Sequence, residues 1–126
     1  DGKKVPLYGD GGNIRDWIHV EDHNIAAHLV LQKGEVGQVY NIGAHNEITN
    51  REITYRLLAL CGRDESSITP VADRLGHDRR YSVHIDKLSA LGWTLSRTFE
   101  DSLAETVEWY RDNRAWWEPL KARAGL

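Results

Sequence analysis

The chain has 126 residues, carries 16 lysines and arginines against 19 aspartates and glutamates, and has a formal net charge of −3 with its six histidines neutral. That length suits one domain with its own hydrophobic core, and no run of about 18 apolar residues is present to span a membrane. The slightly acidic balance argues against nucleic acid as a partner, and the single cysteine excludes an internal disulfide and fits a reducing, cytoplasmic compartment.

Hydrophobic periodicity predicts a mixed α/β fold with few, short strands and about four helices. Thr49-x-x-Glu52 and Thr98-x-x-Asp101 match the pattern of helix N-caps. Short strands of this kind suit a small sheet or the edge of a larger one. In chain order we predict a loop over 1–14, a strand over 15–20, a helix over 21–33, a strand over 38–42, a helix from Thr49 to Cys61, a strand over 68–72, a loop over 73–82, a short helix capped by Asp86 and a last helix over 99–114.

A glycine-rich run over residues 6–17, PLYGDGGNIRDW, is the first candidate binding segment. Its glycines allow the backbone to approach a ligand closely. Tyr8 offers a flat face to a planar ring, and Arg15 suits bidentate binding of a phosphate. The run has neither the Gly-Lys-Ser/Thr of a Walker loop nor the Gly-x-Gly-x-x-Gly of a dinucleotide site. The alternative is an ordinary turn with a surface arginine.

The second candidate is the charged stretch over residues 73–81, DRLGHDRRY, which concentrates three arginines and His77 in an acidic chain. Such a cluster suits a diphosphate, because arginines give it both charge and hydrogen bonds of fixed geometry. The alternative is a solvated loop whose arginines pair with Asp73 and Asp78.

Asparagines at positions 41, 46 and 50 surround the predicted second strand and the helix after it. Asn50 stands beside the start of that helix. It either presents its amide to a sugar or a base, or it helps to cap the helix.

The sequence supports no other kind of site. The histidines show neither the spacing of a zinc site nor an HExxH motif, so we predict no metal. A GxSxG elbow is absent and Cys61 falls on a predicted apolar helix face, so no residue is predicted to act as a nucleophile.

Three segments of the chain together resemble one known family. They are PLYGDGGNIRDWIHVEDH, YNIGAHNEITN and VADRLGHDRRYSVHIDKL, in that order. They are similar to the C-terminal third of the dTDP-glucose 4,6-dehydratases, members of the extended short-chain dehydrogenase/reductase family. The YGDG block with its Arg-Asp-aromatic triplet occurs widely among nucleotide-sugar epimerases and dehydratases, whereas DRLGHDRRY is much more specific to the dTDP-hexose dehydratases.

The resemblance implies six substrate-binding residues. Leu75 stands where the family commonly has proline, so we expect the loop to be less rigid there. By the family's pattern, Pro6 and Tyr8 flank the nucleotide base, Arg15 contacts the diphosphate, Asn50 contacts the nucleotide, and Arg74 and His77 close over the diphosphate and base.

The resemblance also implies what the chain lacks. The family's glycine-rich NAD fingerprint, its Tyr-x-x-x-Lys pair and its acidic pair find no match in these 126 residues. In that family NAD oxidises C4 of the sugar, water leaves across C5–C6 and hydride returns to C6. Since the chain also has no methionine and opens on Asp1, we expect residues 1–126 to be an excised piece that is not catalytic alone.

These inferences lead to one expected protein and two alternatives. We expect the α/β substrate-binding lobe of an NAD-dependent lyase that makes a deoxysugar precursor, for example on the route to rhamnose. Its NAD is bound mainly by an N-terminal Rossmann domain outside this chain, its partner is a dTDP-sugar, and the intact enzyme is a homodimer. The alternatives are part of a nucleotide-sugar epimerase or decarboxylase, and a non-catalytic nucleotide-binding or interaction module.

Overall fold

A computed structural model describes residues 2–125 and shows an α/β chain with two small sheets. Strand β1 (Val5–Tyr8) pairs in parallel with β4 (Ile68–Val71), and β2 (Ile14–Asp16) pairs antiparallel with β3 (Glu47–Thr49). The helices are α1 (Val20–Lys33), α2 (Asn50–Leu60), α3 (Asp86–Ala90), α4 (Phe99–Asp112) and α5 (Arg114–Arg123), with a 3-10 turn at Glu65–Ser67. No helix within residues 2–125 is both long and apolar enough to cross a membrane.

The helix starts follow from short polar side chains that satisfy free backbone N–H groups. Thr49 Oγ accepts from the N–H of Glu52 at 3.1 Å, and Thr98 Oγ accepts from the N–H of Asp101 at 3.1 Å. Both predicted N-caps are therefore confirmed. Asp86 is not a cap, because it is the first residue of α3 and Ile85 before it makes no capping bond.

The hydrophobic core lies between α1, α3 and the turn that follows α3. Ala26, Ile85, Leu88 and Trp93 form the buried cluster. Partly buried apolar residues pack against its edge, namely Ile18, Leu29, Val30 and Ile42. None of the six predicted site residues belongs to this cluster or packs against it.

Four predicted boundaries are wrong. Val5–Tyr8, predicted as loop, is a strand because it pairs with β4. Glu47–Thr49, for which the polar sequence before Thr49 predicts a loop, is a strand because it pairs with β2. The strand predicted over 15–20 is shorter, Ile14–Asp16, because the N–H of Trp17 donates to the Asn46 carbonyl. The last predicted helix is divided at Asn113 into α4 and α5.

The strand predicted over 38–42 is also wrong, because no strand among the described residues lies alongside it. The side chain of Val39 is 78% exposed, so the alternating pattern does not bury one face. Side chains satisfy local backbone groups instead: Lys87 Nζ donates to the Val39 carbonyl at 3.2 Å, and the Tyr40 hydroxyl accepts from the N–H of Glu35 at 3.0 Å.

Asp16 fixes the loop between α1 and β3 against β2. Its carboxylate accepts from the N–H groups of Ala44 and Asn46, both at 2.9 Å, and of His45 at 3.3 Å. A Cβ on Gly43 would come within 2.5 Å of the same carboxylate, so the close approach requires glycine. This contact sets the position of β3 and thus of the start of α2.

Candidate functional site

Two loops meet at the ends of β1 and β4. The glycine-rich loop (residues 9–13) joins β1 to β2, and the arginine loop (residues 73–82) follows β4. The N–H of Gly9 donates to the Val71 carbonyl at 3.0 Å, and the N–H of Ile14 donates to the Arg79 carbonyl at 2.8 Å. These two bonds hold the chain just before the arginine loop, and the last part of that loop, against the segment that carries the glycine-rich loop.

Two glycines make this close contact possible. Gly9 has φ 54°, and a Cβ there would lie 3.1 Å from the side chain of Asp73. A Cβ on Gly12 would lie 2.3 Å from Nη2 of Arg79. The close approach that these two glycines allow is therefore, among the described residues, an approach of the arginine loop.

Two arginines of the loop hold the structure together. Arg79 forms a bidentate pair with Asp10 at 2.8 and 3.1 Å, and Arg80 pairs with Glu47 at 2.6 and 3.0 Å. The Arg79 hydrogen bond holds the pKa of Asp10 at about 2, and Arg80, with help from the hydroxyl of Ser82, holds the pKa of Glu47 at about 2. The alternative that these arginines pair with Asp73 and Asp78 is therefore wrong.

Arg74 belongs to a different group, together with Tyr8 and His77. Its guanidinium carbon lies 5.6 Å from the centre of the Tyr8 ring, and the His77 ring meets Tyr8 edge-on at 6.4 Å between centroids. His77 Nδ1 lies 2.6 Å from Asp73, which lowers the pKa of that carboxyl, and its side chain is only 5% exposed. The arrangement presents one cation and one aromatic face at the end of β1.

Arg15 lies on β2 and packs on Tyr81. Its guanidinium carbon is 4.1 Å from the centre of that ring, and its Nη2 donates to the carbonyl of Asp78 at 3.0 Å. The Tyr81 hydroxyl donates to Asp78 Oδ2 at 2.7 Å, and this bond raises the pKa of the phenol. The positive charges of Arg15 and Arg74 both counteract that rise in the pKa of Tyr81.

Neither Arg15 nor Arg74 forms an ion pair with a carboxylate of residues 2–125, unlike the two arginines described above. Each of these two guanidinium groups therefore lies over an aromatic ring, Arg15 over Tyr81 and Arg74 over Tyr8, with no ion-paired carboxylate among the described residues. An anion with a planar ring attached is the chemistry that such a surface suits.

Asn50 and Pro6 lie at the margin of this group. Asn50 is the first residue of α2 and its N–H donates to the Asn13 carbonyl at 2.9 Å. Its side chain does not cap the helix, because Thr49 does so, and it makes no hydrogen bond with a described residue. Pro6 sits opposite Thr69 and shares a face of β1 with Tyr8.

Sequence reasoning missed three residues of the site. Asn13 is only 2% exposed and donates through Nδ2 to the Asp78 carbonyl at 3.2 Å. Asp78 and Tyr81 hold Arg15, as described above. Both lie within the DRLGHDRRY block, so its conspicuous composition was the one available signal.

A second concave surface lies between α2 and α4. It is a groove of about 470 Å³, and its walls are mainly apolar. Ile53, Leu57, Leu103 and Val107 line it, together with Trp117. It contains none of the six predicted site residues. No group of three or more His, Cys, Asp or Glu side chains within residues 2–125 is arranged to hold a metal ion.

The family whose pattern matches residues 1–106 is described as GDP-mannose 4,6 dehydratase. The chain is 52% identical over 124 residues to a dTDP-glucose 4,6-dehydratase of Streptomyces antibioticus, and 45% identical over 132 residues to that of Escherichia coli. Each match covers 98% of this chain, and the chain spans about 37% of the length of these curated relatives.

Solved structures agree with the sequence relatives. A dTDP-glucose 4,6-dehydratase from Streptomyces venezuelae, determined with NAD bound, superposes with a TM-score of 0.90 at 52% identity, over 94% of this chain and 37% of that one. A UDP-glucose 4-epimerase from Thermotoga maritima, determined with UDP-glucose, gives 0.81 at 30% identity, over 88% of this chain and 36% of that one. The resemblance and the fold class expected from the sequence are confirmed, with five helices in place of about four.

Proposed function

Because the chain belongs to the family described as GDP-mannose 4,6 dehydratase, and because its sequence relatives are named dTDP-glucose 4,6-dehydratase, we propose that it is the nucleotide-sugar-binding part of an NAD-dependent dTDP-glucose 4,6-dehydratase. The substrate is dTDP-glucose and the product is dTDP-4-keto-6-deoxyglucose, so the enzyme is a carbon–oxygen lyase that serves deoxysugar synthesis. The observation that carries the proposal is a pair of guanidinium groups that have no ion-paired carboxylate among the described residues, Arg74 on the Tyr8 ring and Arg15 on the Tyr81 ring. The sequence relatives carry the same enzyme name.

The proposed binding roles are those that the family resemblance implies, and the following contacts support them. Tyr8 stacks on or edges the base, since its ring is 41% exposed at the end of β1. Arg15 and Arg74 neutralise the diphosphate through charge-assisted hydrogen bonds. Asn50, whose side chain has no hydrogen-bonded partner among the described residues, donates to the nucleotide. His77, which is held by Asp73 and meets the Tyr8 ring edge-on, closes the surface next to the base.

The described residues do not fit NAD. A dinucleotide site needs a strand, a glycine-rich turn and a helix N-terminus in succession, whereas α1 follows His19 and α2 follows Thr49. In this proposal the rest of the polypeptide binds NAD. The Streptomyces venezuelae and Bacillus anthracis enzymes were both determined with NAD bound. This chain on its own binds substrate without turning it over, and the intact enzyme acts as a homodimer in the cytoplasm.

Calorimetric titration of the complete polypeptide with dTDP, UDP and GDP tests the proposal. We expect dTDP to bind most tightly, and NAD-loaded protein to convert dTDP-glucose to the 4-keto-6-deoxy product. Preference for UDP together with interconversion of UDP-glucose and UDP-galactose would favour the second candidate, a nucleotide-sugar epimerase, which the superposition on the Thermotoga maritima enzyme supports. Nucleotide binding without turnover of either sugar would favour a non-catalytic module.

A further inference from the structure

The Arg15 guanidinium is held in place by one aromatic ring and by hydrogen bonds from two of its nitrogens. Its face lies on the Tyr81 ring with the guanidinium carbon 4.1 Å from the ring centre. Nη1 donates to the carbonyl of Ile14 at 2.6 Å and Nη2 to the carbonyl of Asp78 at 3.0 Å. Because a guanidinium has five N–H groups, the remaining ones point along its edge and are available to an anion.

Tyr81 is itself fixed by groups that the Arg15 side chain also contacts. Its hydroxyl donates to Asp78 Oδ2 at 2.7 Å, and its N–H donates to the Ile14 carbonyl at 3.2 Å. Asp78 thus bonds the arginine through its carbonyl and the tyrosine through its carboxylate. The buried Asn13 donates to the same Asp78 carbonyl at 3.2 Å, which ties the unit to the glycine-rich loop.

We propose that Tyr81 is a positioning residue for the diphosphate-binding site, which acts by holding the Arg15 guanidinium edge-on to the ligand through its ring and through its bond to Asp78. The proposal rests on the proposed function, because it assigns the ligand of Arg15 as a diphosphate. It goes beyond that function in naming a residue that supports binding without contacting the phosphate. Tyr81 contributes little to the core, since 53% of it is exposed.

A double-mutant cycle on the complete polypeptide separates positioning from general stability. The variants are Tyr81→Leu, Tyr81→Phe, Arg15→Ala and Arg15→Ala/Tyr81→Leu, each titrated with dTDP, thymidine and inorganic pyrophosphate. Loss of an exposed cation–ring contact weakens an interaction about two- to fivefold. We expect Tyr81→Leu to weaken the binding of dTDP and of pyrophosphate by about that factor and to leave thymidine binding unchanged. Tyr81→Phe keeps the ring and should retain most of the affinity for dTDP and pyrophosphate.

The decisive comparison is made without Arg15. If Tyr81 acts through that arginine, Tyr81→Leu has no further effect on dTDP or pyrophosphate affinity in the Arg15→Ala background. An equal loss in both backgrounds, or an equal loss for thymidine, overturns the proposal. With dTDP-glucose as substrate, Tyr81→Leu should raise KM and leave kcat nearly unchanged.

One control variant and the binding of the wild type make the result interpretable. Tyr40→Leu removes another ring under a cation, Lys87 at 5.4 Å, and no hydrogen bond or ring contact links it to Arg15; it should leave all three affinities unchanged. If the wild type binds pyrophosphate but not dTDP, the proposed function fails while the Tyr81 cycle is still read on pyrophosphate. If it binds neither ligand, both proposals fail.

Discussion

Replacing Arg74 with alanine should weaken the binding of dTDP and leave the fold intact. A hydrogen bond to a charged group contributes roughly 1.5–3 kcal/mol. Arg74 is exposed and packs only on the Tyr8 ring, so we expect the lower end of that range, about tenfold in Kd. No described carboxylate loses an ion pair with this change, and the melting temperature should therefore move by less than a degree or two.

The matched control is Arg80→Ala, six residues further along the same loop. That arginine has its charge satisfied by Glu47 at 2.6 Å, so it has little left to offer a ligand. Isothermal titration calorimetry at two salt concentrations measures both variants. A loss in Arg80→Ala as large as in Arg74→Ala, or an unchanged Kd in Arg74→Ala, would refute the division of the arginines into structural and ligand-binding groups.

Three further predictions concern stability. Leu88→Ala should lower the free energy of unfolding by about 2–5 kcal/mol in urea titrations, because the side chain is fully buried, whereas Leu31→Ala, 82% exposed, should change it by less than about 0.5 kcal/mol. Asp10 has a pKa of about 2 when paired with Arg79, below the ~3.9 of an unfolded chain. The pair therefore stabilises the fold above pH ~4, and its contribution is lost as pH falls through about 2. Asp10→Asn should lower Tm at pH 7 and by much less at pH 2, and an equal shift at both would contradict this. Thr49→Ala removes the N-cap of α2 and should lower the free energy of unfolding by about 1 kcal/mol in the same urea titration. Thr49→Ser keeps the capping hydroxyl and should leave that free energy nearly unchanged.

Local sequence was sufficient where a structural element depends on its own neighbours. The start of α2 is determined by Thr49 and by the N–H three residues on, and the end of α1 by Gly34, whose N–H donates to the Val30 carbonyl at 2.8 Å. Such contacts span three or four residues and are legible in the sequence. They are the reason that α1 and α2 were predicted nearly to the residue.

Strands were predicted poorly because each needs a partner from elsewhere in the chain. Val5–Tyr8 looks like loop by itself, since it contains a proline and precedes several glycines, yet it pairs with Ile68–Val71 more than sixty residues away. Residues 38–42 have an alternating pattern and no described partner strand. Composition cannot supply that distant information.

The same limit applies to the site. The sequence indicated that residues 73–81 are rich in arginine, but it could not show which of them are neutralised. The partner of Arg79 is 69 residues away at Asp10, and the partner of Arg80 is 33 residues away at Glu47. Only the folded chain separates these two from Arg15 and Arg74.

The attachment of the chain just before the arginine loop, and of the last part of that loop, has a consequence for the entropy of binding. The backbone is held at Gly9 and Val71 on one side and at Ile14 and Arg79 on the other, so a short span between them remains free to rearrange. Few residues then lose conformational freedom when an anion arrives, and little of the interaction energy is consumed in ordering them. The rate of association should accordingly be set by diffusion and by attraction to the two cations, and it should fall as salt screens that attraction.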